Sequence, residues 1–466
     1  MTLSLLAASG AELVAFVVSG LVVLYGWTGF PAFRAWVDRN VVGRLRSLST
    51  WRWDWRVVAV ALGVVFVTAA FVQSGPIACS NGEDDTLALL QSGRNFLSGG
   101  NPFVTIQCGH TLHVPYGIAS VLLCALGSFG GRVGIWLVWN LVALALVPLT
   151  WFLAAEHRWY ATIFVATSML YTPLVIGSIQ GGHSAVVPVT ALLGVWLAVR
   201  RNPVAGAVGG FLSTVKFPSL FPLWGGLLGV GPHRWRELAI SVAVFGALSL
   251  VVGLIWGGYA YDLLFTQQLA RADFSINEFG VLIPLGAMPP PLVSEVIQGA
   301  ALLAALVFVH LRRWSAVPAI ALLTVVVALV AQRFTANFMI WLLPVALLGP
   351  AYSRWIFALG AVGELNATFA LPACTSTGAC AFTEGLSALF GLLLLLLLIM
   401  ILSESARFAA PRSGAAAAVP SSGSPGGLAR SDPTSSAFHS APRFEGGETP
   451  DPSPWHAPVT NRLPDG

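Results

Sequence analysis

Residues 385–402 read GLSALFGLLLLLLLIMIL and contain no charged side chain. An α-helix rises about 1.5 Å per residue, so a helix of this length is about 27 Å long. The hydrocarbon core of a bilayer is about 30 Å thick, and an uncharged run of about 18 or more residues is typical of a transmembrane helix. The stretch therefore predicts a membrane protein.

The composition of the whole chain agrees with that stretch. Of its 466 residues, 56% are hydrophobic and 9% are charged, and the mean hydropathy is +0.78. A soluble domain carries roughly 25% charged residues, and a membrane-spanning β-barrel alternates polar and apolar residues. Neither pattern fits, so the predicted fold class is all-α, a polytopic membrane protein of about 13 transmembrane helices. The candidate spans are residues 11–30, 57–73, 133–155, 160–178, 184–199, 204–215, 218–230, 238–256, 291–310, 315–331, 338–350, 355–370 and 385–402.

Arginine in the short loops predicts the orientation of the chain. The net charge is +4, from 24 basic and 20 acidic residues, which is too little to favour a nucleic-acid partner. Basic residues concentrate in cytoplasmic loops, and here they gather in loop 31–56 and near 200–201, 233–236 and 312–313. Loop 74–115 holds three acids against one arginine and is expected to face outward. We expect a multi-pass plasma-membrane protein, and the arginine bias is typical of a high-GC bacterial genome.

With this orientation, the sequence predicts that the chain is divided into three parts. Residues 1–56 are an N-terminal transmembrane helix with a basic cytoplasmic loop, and residues 57–402 are the membrane domain. Residues 403–466 are rich in Ala, Gly, Pro and Ser, which predicts a disordered cytoplasmic tail.

Four of the five cysteines fall in loops that are expected to face outward. Outside the cytosol such thiols can pair, so Cys79 is predicted to bridge to Cys108 and Cys374 to Cys380. Unpaired thiols are the alternative.

Successive loops have to alternate between the two sides of the membrane, and this requirement decides how two segments cross it. Four apolar runs separate the outward loop from the arginines at 200–201, so one of them does not cross, and 116–129 is the shortest at about 14 residues. We expect this run to be a helix that enters the outer side of the membrane and returns. Segment 204–230 begins and ends on the cytoplasmic side, so it crosses twice, and its hinge at 216–218 then lies within the membrane and opens outward.

Lys216, in that hinge, is the only lysine of the chain. A lysine in an apolar stretch is costly unless it pairs with an anion or reaches water. It can hold the phosphate of a lipid-linked substrate as a point charge, or it can be a snorkelling lysine at a hinge. Arg271 and Arg333, in or next to loops expected to face outward, are further candidate phosphate ligands.

The outward loop carries the most polar motif of the chain. Glu83, Asp84 and Asp85 precede a helix that we expect to run to about Leu97, where the sequence GGNP at 99–102 ends it. The acids can supply a general base or ligands for a divalent metal. The alternative is a helix cap with a solvated acidic turn.

The same helix is predicted to be amphipathic and to lie on the membrane surface. Its apolar or long side chains recur at steps of three and four residues, at Leu87, Leu90, Arg94 and Leu97. His110 and His113 follow later in the loop, but no Cys/His cluster completes a metal site there.

Five short motifs carry a resemblance to a known family. Residues 85–103 begin with aspartate and close with GGNPF, and 114–116 (VPY) precede the short apolar run. Residues 180–183 (QGGH) and 216–218 (KFP) flank an Arg-rich turn and a Gly-rich segment, and 335–344 read TANFMIWLLP. In their order and spacing these motifs resemble glycosyltransferase family 87, a bacterial mannosyltransferase-like group of the GT-C superfamily that uses polyprenyl-phosphate donors.

The resemblance implies an inverting glycosyltransferase. It would transfer a hexose, with mannose the expected sugar, from a polyprenyl-phosphate donor to a lipid or glycan acceptor at the outer face of the membrane. Asp85, or Asp84 if the register shifts by one residue, would be the general base. Gln180, His183 and Tyr116 fall on substrate-binding motifs of the family. No organic cofactor is expected, a divalent metal stays open, and membrane lipids complete the expected partners.

Departures from the family pattern leave the sugar and the acceptor open. Ala88 and Leu89 stand where aromatic residues usually follow the aspartate, and Ile179 replaces a glycine. The alternative function is a membrane transporter or lipid flippase, which would be expected to show repeats and ionisable residues spread through its spans. A non-catalytic membrane scaffold is a third possibility.

Overall fold

The computed structural model describes residues 32, 35–36, 39–40, 85–107, 110–113, 117–154, 161–162, 164–165, 179–231, 234–257, 291–331, 336–366, 370 and 380–408. All of them belong to one unit of the chain, residues 1–409. This described part is mostly helical, as the composition predicts. The predicted spans 11–30 and 57–73, and most of 160–178, lie outside it.

The described elements follow the predicted apolar runs closely. The α-helices are α1 (Asp85–Leu97), α2 (Ile118–Ser128), α3 (Gly131–Leu144), α4 (Leu146–Leu153), α5 (Ile179–Val199), α6 (Ala205–Ser213), α7 (Leu220–Leu228), α8 (Arg234–Ile255), α9 (Pro291–Arg312), α10 (Ala316–Val330), α11 (Pro350–Leu365), α12 (Ala381–Ser403) and α13 (Ser405–Phe408). Two 3₁₀ helices, Phe217–Ser219 and Ala336–Leu348, and two strands, β1 (Val104–Gln107) and β2 (His110–His113), accompany them.

Three of the described helical stretches are long and apolar enough to cross a membrane. They are Gly131–Leu153, which joins α3 and α4, Trp235–Ile255 in α8, and Ala381–Ser403 in α12. Only 11% of the apolar window of α8 is buried inside the protein, against 44% for Gly131–Leu153. Helix α8 therefore presents most of its apolar surface outward, which suits contact with lipid.

The glycines after α1 end the helix with a C-terminal capping motif. Gly99 has a φ of +77°, which favours glycine. The Gly100 N–H donates to the Asn95 carbonyl at 2.7 Å, the long-range bond of a Schellman motif. The Asn101 side chain then accepts a hydrogen bond from the Phe103 N–H at 2.9 Å. The predicted end of α1 is confirmed, and the GGNPF sequence has a structural role of its own.

The packed face of α1 follows the predicted stripe only in part, since Leu90 is buried but other members of the stripe are not. Leu89 is buried, and Gly93 lies so close to the Cys124 backbone in α2 that an added Cβ would collide with it. Arg94 and Leu97 are exposed. The glycine lets α1 approach α2, so this helix contact shifts the buried face of α1 toward Leu89 and Gly93, beside Leu90 of the predicted stripe.

The hairpin of β1 and β2 was not indicated by the sequence. The strands pair antiparallel, with Val104 opposite His113 and Gln107 opposite His110. Strands of four residues are too short to show a reliable period-two pattern. The predicted all-α class therefore needs one correction, a small hairpin within residues 104–113.

Helices α6 and α8 pack through glycines one turn apart. A Cβ on Gly206 or Gly210 would collide with the backbone of Glu237 or Ser241 in α8. This is the small-residue spacing by which membrane helices approach each other. The buried Glu237 carboxylate also accepts a hydrogen bond from the Gly206 N–H at 2.8 Å. It thereby satisfies an amide that the first turn of a helix leaves unpaired.

A buried 3₁₀ helix replaces one predicted transmembrane α-helix. Span 338–350 was expected to be α-helical, but Ala336–Leu348 is a 3₁₀ helix packed against α5, α10 and α11. Residues 339–348 are all buried, and Pro344 lacks the N–H that an α-helix would use there. Protein rather than lipid surrounds this segment, so its hydrophobicity reflects a core position.

The chain turns back after α12. The carbonyl of Phe408 accepts a hydrogen bond from the Ser315 N–H at 3.0 Å, and its ring packs edge-on against Trp314 at 5.3 Å. Helical structure thus reaches Phe408, a few residues beyond the predicted domain boundary at 402/403. Residues 409–466 lie outside the described part of the chain.

Candidate functional site

The hinge at Lys216 interrupts the pair of helices α6 and α7. Lys216 is extended, with φ −141° and ψ 118°, and the 3₁₀ turn Phe217–Ser219 follows it. Pro218 favours the break because proline lacks an N–H and restricts the residue before it. The Lys216 carbonyl accepts hydrogen bonds from the Ser219 N–H at 3.0 Å and from the Ser219 hydroxyl at 2.5 Å. The predicted break at 216–218 is therefore confirmed.

The side chain of Lys216 contacts two neutral groups from distant parts of the chain. Its Nζ donates to the Ser184 hydroxyl at 3.3 Å and lies 5.8 Å from the ring centroid of Trp341, within the range of a cation–π contact. The Trp341 Nε1–H donates to the Ser184 carbonyl at 3.0 Å. Ser184 and Trp341 are both buried, and Lys216 is half-buried. We call these three residues the lysine site.

The lysine site joins three of the motifs that the sequence singled out. Ser184 directly follows the QGGH motif at 180–183, Lys216 begins the KFP motif, and Trp341 lies inside the 335–344 motif. Gln180 and His183 are in the first turns of α5, at the same end as Ser184. Their side chains lie outside the described part, so their predicted substrate contacts stay predictions.

Sequence reasoning missed Ser184 and did not assign a role to Trp341. A serine in an apolar helix is common, so the only available signal was its position next to His183. Trp341 stands among other apolar residues, and nothing in its spacing points to a lysine 125 positions earlier. Only folding brings these groups together.

Helix α2 contacts the segment just before the hinge. The Ala119 N–H donates to the Thr214 hydroxyl at 3.1 Å, two residues before Lys216. Helix α2 has 11 residues, or about 16 Å, and is too short to cross a bilayer. That length agrees with the predicted helix that enters and returns. Tyr116, at its predicted start, lies outside the described residues.

The candidate base Asp85 is the first residue of α1. Helix α1 packs on α2, and α2 bonds to Thr214, so packed elements link the acidic end of the loop motif to the lysine hinge. The Asp85 side chain and all of Asp84 lie outside the described part. The choice between the two acids stays a prediction.

Aromatic rings continue from the lysine hinge along α7 and α8. Phe217 is 40% exposed and packs against Phe221 at 5.4 Å and Phe245 at 5.9 Å. Phe221 in turn packs against Trp224 at 5.7 Å. We call these four residues the aromatic strip. It gives the hinge an apolar, partly exposed side next to its single cation.

The remaining predicted site residues are mostly outside the described part, namely Arg271, Arg333, Cys79, Cys108 and Cys374. Cys380 is disulfide-bonded, and its predicted bridge to Cys374 stays a prediction because the partner is not among the described residues. Cys124 is a free, buried thiol. Within the described ranges, no three Cys, His, Asp or Glu side chains gather as a metal site.

No protein-family model, curated protein or solved structure matches this chain. The lysine site, the aromatic strip and the motifs that contribute to them are therefore the features from which a function is argued.

Proposed function

We propose that this protein is an inverting glycosyltransferase that moves a hexose, with mannose the expected sugar, from a polyprenyl-phosphate donor to a lipid or glycan acceptor. The observation that carries the proposal is the lysine site. The only lysine of the chain sits in a helix break, half-buried, between a serine hydroxyl and an indole face. An ammonium in such a setting is suited to bind an anion, and the phosphate of a lipid-linked sugar is an anion found in membranes.

The proposed reaction is a single displacement at the anomeric carbon. The acceptor hydroxyl oxygen forms the new C–O bond, and the bond from the anomeric carbon to the phosphate oxygen breaks. The hydroxyl proton passes to the carboxylate of Asp85, or of Asp84 if the register shifts by one residue, as the new bond forms. The leaving polyprenyl phosphate gains negative charge, which the Lys216 ammonium stabilises.

The aromatic strip supports a lipid-linked donor rather than a free phosphate ester. Phe217 directly follows Lys216 and is the most exposed of the four rings. A hydrocarbon chain attached to a phosphate at Lys216 can lie along these rings and bury apolar surface. A soluble sugar phosphate gains nothing from such a surface.

The finer topology belongs to the same proposal. We propose about 13 membrane-spanning segments in a GT-C-like arrangement, one of them the 3₁₀ helix Ala336–Leu348, with the hinge open to the outer face of a bacterial plasma membrane. The arginine-rich turns support this orientation, because short loops rich in arginine favour the cytoplasmic side. Arg271 and Arg333, on the outward side in this topology, are the candidates for additional phosphate contacts.

The test is transfer by the purified full chain in liposomes. Polyprenyl-phosphate-mannose with a radiolabelled sugar is supplied with a membrane extract as the source of acceptors, and polyprenyl-phosphate-glucose is run in parallel. Labelled product that depends on the protein supports the proposal. Movement of the intact labelled lipid between leaflets without transfer would instead identify a flippase.

A further inference from the structure

Trp341 contacts both other members of the lysine site, each with a different part of its side chain. The ring face lies 5.8 Å from Lys216 Nζ, and the ring N–H donates to the Ser184 carbonyl at 3.0 Å. The Ser184 hydroxyl accepts a hydrogen bond from the Lys216 ammonium at 3.3 Å. The three residues therefore form a triangle of contacts, in which the Trp341 indole bonds the Ser184 backbone and its ring faces the ammonium that the Ser184 hydroxyl also contacts.

We propose that Trp341 is a positioning residue that holds the Lys216 ammonium in place for an anionic group of the substrate. This inference rests on the proposed function for the identity of the anion, but the positioning itself can be measured without transfer. Trp341 need not touch the substrate, because it acts through Lys216.

The physical need for such a residue follows from the lysine side chain. Four flexible methylene groups carry the ammonium, and holding it in one geometry costs side-chain entropy. A ring that is itself buried in the 3₁₀ helix Ala336–Leu348 is a rigid surface against which the ammonium can settle.

The ring also favours the protonated lysine without contributing a negative charge. A cation over an aromatic face is attracted to the ring quadrupole, most strongly for tryptophan and when water is excluded. An anionic partner at the same position would compete with the incoming phosphate. The indole therefore suits a lysine that has to bind and release an anion in each cycle.

The single lysine makes this proposal directly measurable. With Lys216 the only lysine, an amine-reactive reagent can modify only this side chain and the chain's amino terminus. Peptide mapping separates the two products. The labelling rate of Lys216 at fixed pH, in the full chain in nanodiscs, then reports how firmly the site holds the protonated amine, because such reagents consume the neutral form.

Three variants separate the contacts of the triangle. Trp341→Leu removes the ring face and the N–H, and is expected to raise the labelling rate of Lys216 about tenfold. Trp341→Phe keeps a weaker ring face and loses the N–H, so a rise of about threefold is expected. Ser184→Ala removes only the hydroxyl and should likewise give a rise of about threefold.

Trp314→Phe is the matched control for loss of a buried indole. Trp314 is as buried as Trp341, but it packs against Phe308 and Phe408 instead of a lysine. Its substitution should leave the labelling rate at the wild-type value. Equal rates in wild type and Trp341→Leu would overturn the proposal, and so would equal increases in Trp341→Leu and Trp314→Phe, since those would reflect loosened packing.

Protection by lipid phosphate keeps the two proposals distinguishable. Polyprenyl phosphate in the nanodisc should slow labelling of Lys216 in the wild type, and less so in Trp341→Leu. If the labelling series behaves as expected but neither polyprenyl phosphate nor inorganic phosphate protects Lys216, Trp341 still positions the lysine and the proposed donor site is wrong.

Transfer kinetics add a readout that a purely structural role would not move. If Trp341 acts through Lys216, Trp341→Leu should raise the apparent donor KM and lower kcat in the wild-type background. The same substitution should have almost no further effect in a Lys216→Ala background, because interacting residues are not additive. Full additivity of the two effects would overturn the positioning role.

Discussion

Charged side chains stand at both ends of helix α6, and the two are held in different ways. At its beginning, the Glu237 carboxylate is 8% exposed and accepts the Gly206 N–H, a backbone group fixed by the helix. Just beyond its end, the Lys216 ammonium is half-buried and is held by a hydroxyl and a ring from α5 and the 3₁₀ helix Ala336–Leu348.

The difference shows that burial of a charge does not by itself mark a functional site. Glu237 completes the hydrogen bonding of a helix terminus and interacts favourably with the helix dipole, so it belongs to the scaffold. Lys216 lies just beyond the C-terminal end of α6, where a cation also interacts favourably with the helix dipole. Its ammonium in addition contacts the Ser184 hydroxyl and the Trp341 ring, which belong to two other elements. The proposed function assigns this ammonium an anion to bind.

Asp85→Asn should lower transfer more than any other substitution, because the Asp85 carboxylate is proposed to take the proton of the acceptor hydroxyl. Transfer is expected to fall by about a hundredfold to ten thousandfold, the range for loss of a general base, while donor binding stays nearly intact. Steady-state transfer in liposomes checks this, with Asp84→Asn as the matched variant. Loss of transfer in Asp84→Asn alone would shift the register by one residue, and activity in both variants would remove the base assignment.

Lys216→Ala should cause the second-largest loss of transfer. The apparent donor KM should rise and kcat should fall, with kcat/KM lower by about a hundredfold to a thousandfold, because charge on the leaving phosphate grows toward the transition state. Lys216→Arg should recover part of the loss, since it keeps the charge but changes its reach. Donor kinetics in Lys216→Ala that match the wild type would break the contrast with Glu237, as would labelling of a cysteine at position 216 by a reagent confined to the cytoplasm.

Glu237→Ala should affect stability rather than transfer. Removing the carboxylate leaves the Gly206 N–H without its partner, at a cost of about 1–3 kcal/mol in the free energy of unfolding. Thermal unfolding in detergent measures this loss, and the donor KM of the folded fraction should stay unchanged. Arg407→Ala, which removes an exposed pair with Glu404, is the control and should cost less than about 1 kcal/mol. A raised donor KM in Glu237→Ala would mean that Glu237 takes part in donor binding, and the distinction between a structural Glu237 and a functional Lys216 would be wrong.

Loss of the disulfide bridge at Cys380 should have the smallest effect on transfer. Detecting the bridge also tests the comparison, because it indicates which side of the membrane loop 371–384 faces. Peptide mapping without reduction should recover Cys380 linked to Cys374 in loop 371–384, and Cys79 linked to Cys108. Disulfides persist on the outer side of the membrane, which is the side to which the lysine hinge is proposed to open. Recovery of all four residues as free thiols would contradict both bridges.

The break at Lys216-Phe217-Pro218 was predictable because its signals are local. Proline limits the helix, and the arginines at 200–201 and 233–236 limit how the segment can cross a membrane. The end of α1 was predictable for the same reason, since Gly99 takes a positive φ that suits glycine. Local chemistry decides where a helix ends, so the sequence next to that point carries the information.

The partners of Lys216 and the packed face of α1 were not predictable in this way. Ser184 and Trp341 lie 32 and 125 positions from Lys216, and their contacts depend on how three separate elements pack. Likewise, the glycine-mediated approach of α1 to α2 adds Leu89 to the buried face, whereas the leucine spacing indicates only Leu90 there.

The sequence by itself determined that the chain is helical and apolar enough for a membrane, where its helices break, and that one lysine stands out among the arginines. These properties depend on composition, on hydrophobic runs and on residues next to each other. Only the tertiary structure decided that this lysine is held between a serine and a tryptophan, that a buried 3₁₀ helix replaces one expected span, and that Glu237 caps α6. Those features arise from packing between segments that are distant in the sequence. The free energy of that packing is shared among many contacts, so the sequence of a single segment does not reveal it.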